Sequence, residues 1–95
     1  MTPTTDIESL KSLLANNHLL GKYGILRLGI FGSFARGEEA NDIDLYIEQD
    51  IDPYIVLEFK EELERLTNMK IDLVLKKYAN PIILYRAKQD MLYVS

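Results

Sequence analysis

Three aspartates stand at positions where they could act together. Asp42 and Asp44 are separated by one residue, and Asp72 lies within a later apolar segment. Alternate residues of a β-strand project from the same face, so Asp42 and Asp44 share a face if their segment is extended. Carboxylates held close together repel one another unless a cation joins them, and such oxygen ligands suit Mg²⁺ or Mn²⁺. The three acids fit a solvated sheet face equally well, so their spacing alone does not establish a metal site.

A Gly-Ser pair, Gly32-Ser33, follows an apolar stretch at residues 25–31. A glycine at the end of a strand lets the backbone approach an anion closely, and the amides of the next turn can hold a phosphate together with the serine hydroxyl. Ordinary strand-to-helix turns also contain Gly-Ser. The informative feature is therefore the order of the parts: a strand, Gly-Ser, Ala-Arg-Gly, a short crossing, Asp-x-Asp on a strand, and a later strand with one more aspartate.

The segments that must position these residues show strand and helix periodicities in turn. Alternation of apolar residues predicts strands over residues 25–31, 42–48, 70–76 and 91–94. Helical spacing predicts helices from Thr5 or Asp6 to about 17, from 53 to 67 and from 82 to 89. Asp52-Pro53 and Asn80-Pro81 are the predicted starts of the second and third helices. The third helix has apolar residues available to pack, namely Ile82, Ile83, Tyr85 and Ala87. Residues 19–24 are predicted to form a turn.

The predicted fold is one small α/β (α+β) domain over residues 1–95. It has a mixed sheet of about four strands, flanked by helices. Apolar residues on both faces of the segment 25–31 indicate a strand in the middle of the sheet.

The overall composition excludes several classes of function. The net charge is −4, with 15 acidic and 11 scattered basic residues, which argues against direct nucleic-acid binding. The chain has no cysteine, so it can hold neither a disulfide nor a thiolate metal site, and a cytoplasmic location is expected. We expect no signal peptide and no membrane segment. The sequence leaves a homo-oligomer open.

Three further side chains need separate consideration. His18 is the sole histidine, and its place beside a helix end favours a capping or surface role over a ligand. Tyr46 shares a strand face with the two aspartates, and a packed sheet tyrosine is the favoured interpretation. Arg36 fits two roles, a phosphate contact or an ion pair with Glu38 or Glu39.

Two segments resemble the signature of a known family. Residues 32–37 (Gly-Ser-Phe-Ala-Arg-Gly) and 42–45 (Asp-Ile-Asp-Leu) are similar to the motif of the DNA polymerase β superfamily of nucleotidyltransferases, and within it to the minimal nucleotidyltransferases (MNT) of prokaryotes. The resemblance covers nearly the whole chain. It implies that Gly32 and Ser33 bind nucleotide phosphates, with Arg36 as a further candidate. It also implies that Asp42, Asp44 and Asp72 form the catalytic and metal-binding set, Asp72 being the third carboxylate and a candidate base.

The resemblance also implies an activity and a partner. Members of this family transfer a nucleoside monophosphate from a triphosphate to a hydroxyl and release pyrophosphate. For this chain it implies a Mg²⁺-dependent (or Mn²⁺-dependent) protein adenylyltransferase that uses ATP. The expected acceptor is a tyrosine of a HEPN-type toxin, with this chain as the antitoxin. A chain of 95 residues leaves little room for a substrate domain, so we expect a partner to supply the acceptor or the missing wall of the cleft.

One departure from the family pattern motivates an alternative function. Eight residues, Phe34 to Asn41, separate Gly-Ser from Asp-x-Asp, whereas family members usually have a longer crossing and a serine where Asn41 stands. A shorter crossing would shift the Gly-Ser turn relative to the acids. The alternative is an antitoxin that keeps the fold but neutralises its partner by binding alone. A third interpretation is a nucleotidyltransferase of the antibiotic-modifying kind, although those chains generally carry an additional helical domain.

Overall fold

Five helices, four strands and one short 3-10 helix make up residues 6–95, the part of the chain that the computed structural model describes. The helices are α1 (Ile7–Asn16), α2 (Leu19–Lys22), α3 (Gly32–Ala35), α4 (Pro53–Thr67) and α5 (Pro81–Lys88). The strands are β1 (Leu28–Phe31), β2 (Asp42–Ile47), β3 (Lys70–Leu75) and β4 (Leu92–Val94), and the 3-10 helix is Lys76–Tyr78. None of the helices in this range is long and apolar enough to cross a membrane.

The four strands form one mixed sheet in the order β3-β2-β1-β4. β1 runs antiparallel to both of its neighbours, whereas β2 and β3 are parallel and are connected through α4. The predicted mixed sheet of about four strands is confirmed, and so is the interior position of β1. This topology places the two strands that carry the aspartates side by side.

Local sequence chemistry explains where the longer helices begin. Asp6, Asp52 and Asn80 each stand just before a helix and accept a backbone N–H with a side-chain oxygen. Proline follows two of these caps, because its fixed φ suits the first turn of a helix. The predicted cap is therefore Asp6; the other candidate, Thr5, lies outside the described residues.

The hydrophobic core lies on one side of the sheet. Apolar side chains of α1 and α4 pack there against the inward-facing residues of the first three strands. The members from these elements are Leu10, Leu14, Phe59, Leu63, Leu28, Ile30, Ile43, Leu45 and Ile71. Because β2 alternates, its aspartates project to the other side, where α5 crosses: Lys88 Nζ lies 5.9 Å from the ring centroid of Tyr46.

The structure shortens the first predicted strand. β1 begins at Leu28 and not at residue 25, and the Leu26 side chain is 77% exposed. The Gln49 side chain explains the difference: its Oε1 accepts the Leu26 N–H at 2.6 Å, and its Nε2 donates to the Gly24 carbonyl at 2.9 Å. These backbone groups are thus satisfied without a strand neighbour.

Two other predictions also differ from the structure. Residues 19–24 contain one full helical turn, α2, in place of a simple turn. In α5, the side chains of Ile82, Ile83 and Tyr85 do not pack but are more than half exposed. Leu84 and Ala87 are half-buried, and α5 has no buried residue.

Candidate active site

The parallel pairing of β2 and β3 brings the three predicted acids together. Asp44 lies opposite Asp72 in the register of the two strands, and Asp42 projects from the same face of β2. Each of the three residues offers a carboxylate oxygen that lies within 4.8 Å of the other two. Asp42 and Asp44 are half-buried, whereas Asp72 is exposed. The spacing inferred from the sequence therefore corresponds to a real cluster.

The cluster carries negative charge without a bound partner. In the described part of the chain, no lysine, arginine or histidine forms an ion pair with any of the three acids. Burial raises the pKa of the Asp44 carboxyl, and the neighbouring negative charges of Asp42 and Asp72 raise it further, against a smaller opposing effect of Arg36. Three carboxylates that repel one another are a donor set of hard oxygens, which fits Mg²⁺ or Mn²⁺.

Gly32 packs directly against this cluster. Its backbone has φ +77°, and a Cβ atom built there would clash with the Asp44 carboxylate. Arg36 N–H donates to the Gly32 carbonyl at 3.2 Å, and Glu38 N–H donates to the Ser33 carbonyl at 3.0 Å, which closes the turn. The Gly-Ser turn thus lies against the acids despite the short crossing before Asp42.

The structure resolves the alternatives for the ion pairs of Arg36. Its guanidinium binds Glu38 with two nitrogens, at 3.0 and 3.2 Å, and binds Asp90 with Nη1 at 2.8 Å. Nη2 also lies 3.5 Å from Ser33 Oγ. Of the two predicted partners, Glu38 is used and Glu39 is not. Asp90 was not foreseen, because it is 54 residues away in the sequence and no local motif marks it.

Tyr46 and His18 lie outside the acid cluster. Tyr46 is packed into the sheet, 1% exposed, as predicted, and its buried hydroxyl has no hydrogen-bond partner within residues 6–95. His18 is exposed, with φ 51°, and stands just before α2 without a side-chain capping bond. The site therefore contains neither residue.

Known proteins resemble this chain along most of its length. The family model "Polymerase beta, Nucleotidyltransferase" matches residues 8–94. The chain is 30% identical over 94 residues to the protein adenylyltransferase MntA of Thermococcus cleftensis, covering 93% of this chain and 95% of that protein.

Two solved structures have the same fold. One, described provisionally as a minimal nucleotidyltransferase, superposes with a TM-score of 0.75 at 26% identity and covers 92% of this chain and 94% of its own. The other is a tri-AMPylated Shewanella oneidensis HEPN toxin in complex with an MNT antitoxin. Its TM-score is 0.66 at 18% identity, over 92% of this chain and 71% of the matched one. At 18% identity, this similarity shows a shared fold and nothing further.

Proposed function

Because the chain belongs to the polymerase β nucleotidyltransferase family, we propose that it transfers AMP from ATP to a hydroxyl group of a HEPN-type toxin and thereby acts as an antitoxin. The observation that carries the proposal is the contact between the Gly32 turn and the cluster of Asp42, Asp44 and Asp72. In this proposal the turn binds the nucleotide phosphates and the three acids bind the metal, and the contact supports the proposal because it sets the two side by side. The names of the Thermococcus relative and of the AMPylated toxin complex support the choice of AMP and of a protein acceptor.

The three aspartates share one task in this proposal, and Asp72 has a second. Asp42, Asp44 and Asp72 would hold Mg²⁺ or Mn²⁺, which when bound supplies positive charge to the phosphate oxygens. Asp44 and Asp42 are half-buried and fix the inner part of the site, whereas Asp72 is exposed on the edge strand β3. Asp72 is therefore the carboxylate that an incoming hydroxyl can reach, and we assign it the role of general base.

The transfer reaction follows from this placement. The acceptor oxygen forms a bond to the α-phosphorus of ATP, the bond between the α- and β-phosphates breaks, and pyrophosphate leaves. Asp72 takes the proton of the acceptor hydroxyl. The amides after Gly32 and the Ser33 hydroxyl hold the phosphates in line, so that the reaction gains mainly from positioning and charge stabilisation.

We propose a tyrosine as the acceptor because the site opens at the edge of the sheet. Asp72 and its neighbour Lys70 are exposed there. A phenol projects further from a protein surface than a serine hydroxyl, so it can extend past the exposed Asp72 toward a phosphate held beside the half-buried Asp42 and Asp44. Mass spectrometry of the labelled partner identifies the modified residue.

The donor test uses ATP labelled either in its α-phosphate or in its γ-phosphate. With Mg²⁺ and a HEPN-type partner protein, the α-label should appear on the partner and the γ-label should not. Transfer of the γ-label would show a kinase reaction and would contradict the proposal. Asp44→Asn should lose the labelling, whereas Glu61→Gln, an exposed acid on α4, should keep it.

The second candidate function is an antitoxin that acts by binding alone. Arg36 favours it, because its guanidinium is committed to Glu38 and Asp90 and not to an open phosphate position. The two functions differ in their response to loss of the acids. If Asp42→Asn/Asp44→Asn neutralised the partner as well as the wild-type chain does, binding alone would explain the activity.

A further inference from the structure

The ion pairs of Arg36 fix its guanidinium near the acid cluster. Nε and Nη2 bind the two oxygens of Glu38, and Nη1 binds Asp90 in the loop that leads into β4. Nη2 lies near Ser33 Oγ as well. The planar guanidinium is thus held from two sides, and a bidentate pair of this kind fixes its orientation as well as its position.

An arginine in this position has a competing set of partners. Arg36 lies near the acid cluster, because its Nη2 is 3.5 Å from Ser33 Oγ and the residue before that serine, Gly32, closes against the Asp44 carboxylate. Three unpaired carboxylates attract a guanidinium strongly, and an arginine side chain is long and flexible. In the structure, Arg36 nevertheless forms no ion pair with Asp42, Asp44 or Asp72.

We propose that Glu38 and Asp90 are positioning residues that hold Arg36 beside Ser33 and away from Asp44, so that the acid cluster stays open for a divalent cation. The inference rests on the proposed function, since it takes the cluster to be a metal site. Through this role, Asp90 contributes to the proposed nucleotide site although it lies near the C-terminal end of the fold. It reaches across from the segment between α5 and β4 to the Gly-Ser turn.

The first test measures the dissociation constant of Mn²⁺, added alone, for the whole chain by calorimetry. Glu38→Gln/Asp90→Asn should weaken Mn²⁺ binding by about fivefold, because two partly exposed ion pairs no longer restrain Arg36. Asp50→Asn/Glu61→Gln is the matched control: it removes two exposed acids without an ion pair in the described residues and should bind Mn²⁺ nearly as well as wild type.

A third variant separates the release of Arg36 from the simple loss of charge. If Arg36 competes with the cation, Arg36→Gln should abolish the effect, so that Arg36→Gln/Glu38→Gln/Asp90→Asn binds Mn²⁺ as well as Arg36→Gln does. A fivefold loss that persists in the Arg36→Gln background would overturn the proposal. An equal loss in the charge-matched control would overturn it too.

The second test needs no metal. In a crystal structure of metal-free Glu38→Gln/Asp90→Asn, the Arg36 guanidinium should form an ion pair with Asp44. A guanidinium that remained beside Ser33 in this variant would refute the positioning role. If the wild-type chain bound no Mn²⁺, the proposed metal chemistry would fail, and this structure would still decide whether the two acids restrain Arg36.

Discussion

Asp44 on β2 lies opposite Asp72 on the parallel strand β3, and the backbone of Gly32 closes against the Asp44 carboxylate. Asp44 is therefore the point at which strand pairing and the Gly-Ser turn meet. Its carboxyl has a raised pKa because of burial and of the two neighbouring acids, so its ionised form is held at a cost to the metal-free protein. Removal of the Asp44 charge should therefore change the stability of the metal-free protein.

Asp44→Asn should stabilise the metal-free chain while it removes Mg²⁺ binding. The amide keeps the shape of the side chain but relieves the repulsion among the acids, and relief of this kind at functional sites is of the order of 1 kcal/mol. Urea unfolding with and without Mg²⁺ measures both effects. Wild type should gain stability on addition of Mg²⁺, and the variant should not. A variant less stable than wild type without metal would contradict this account of Asp44.

Gly32→Ala and Gly37→Ala form a matched pair. Both glycines have φ +77°, so alanine is strained by roughly 1–2 kcal/mol at either position. A Cβ at position 37 meets nothing within 4 Å, whereas one at position 32 clashes with Asp44. Gly37→Ala should lose stability alone, and Gly32→Ala should lose more stability and Mg²⁺ binding as well. Unfolding curves and Mg²⁺ titrations of the two variants check this. Equal Mg²⁺ affinities would show that the clash does not disturb the acids.

Tyr46→Phe should stabilise the protein by about 1 kcal/mol, because the substitution removes a buried hydroxyl that makes no well-formed hydrogen bond within residues 6–95. Burial raises the pKa of this hydroxyl, and the charge of Glu48 lies near enough to raise it further. Tyr93→Phe on β4 is the control, since its side chain is 42% exposed and its hydroxyl can bind water. Denaturant unfolding measures the two changes. Loss of adenylyl transfer in Tyr46→Phe would show instead that this hydroxyl contributes to the site.

We expect Glu62 on α4 to make a pH-dependent contribution to the stability of the folded protein. Its carboxylate accepts hydrogen bonds from Lys22 Nζ, at 2.7 Å, and from the Tyr23 hydroxyl, which link α2 to α4. These bonds lower the pKa of Glu62 below 4.5, so its contribution is present above that pH and is lost as the pH falls through the pKa of the folded state.

Glu62→Gln should therefore unfold a few degrees below wild type at pH 7, and the two melting temperatures should converge in acid. Glu61→Gln is the control on the neighbouring, exposed position. Thermal unfolding followed between pH 7 and strongly acidic conditions tests the prediction. A difference that stayed constant over this range would rule out the ionised carboxylate as its cause.

Much of the fold follows from local signals in the sequence. The Asp52-Pro53 start and the spacing of Val56, Phe59 and Leu63 define α4 from residue 53 to 67, as predicted. The alternation of β2 places its two aspartates on one face, and the apolar residues of β1 indicate an interior strand. Such features depend on neighbouring residues and on periodicity, which the sequence displays directly.

The features that sequence analysis missed depend on contacts between distant segments. Gln49 satisfies the backbone at Gly24 and Leu26, and so shortens β1, from 23 to 25 residues away. Asp90 binds Arg36 from 54 residues away in the sequence. The contact of Gly32 with Asp44 also depends on the path of the crossing, which spacing alone does not define. Contacts of this type leave no periodic pattern in the sequence.

The decisive measurement is the transfer of the α-phosphate label from ATP to the HEPN-type partner by wild type and by Asp44→Asn in the presence of Mg²⁺. Wild type should label the partner. Because Asp44 joins the acid cluster to the Gly32 turn, the variant should label it more than about a hundredfold less. Equal labelling by the two proteins would contradict the assignment of the site.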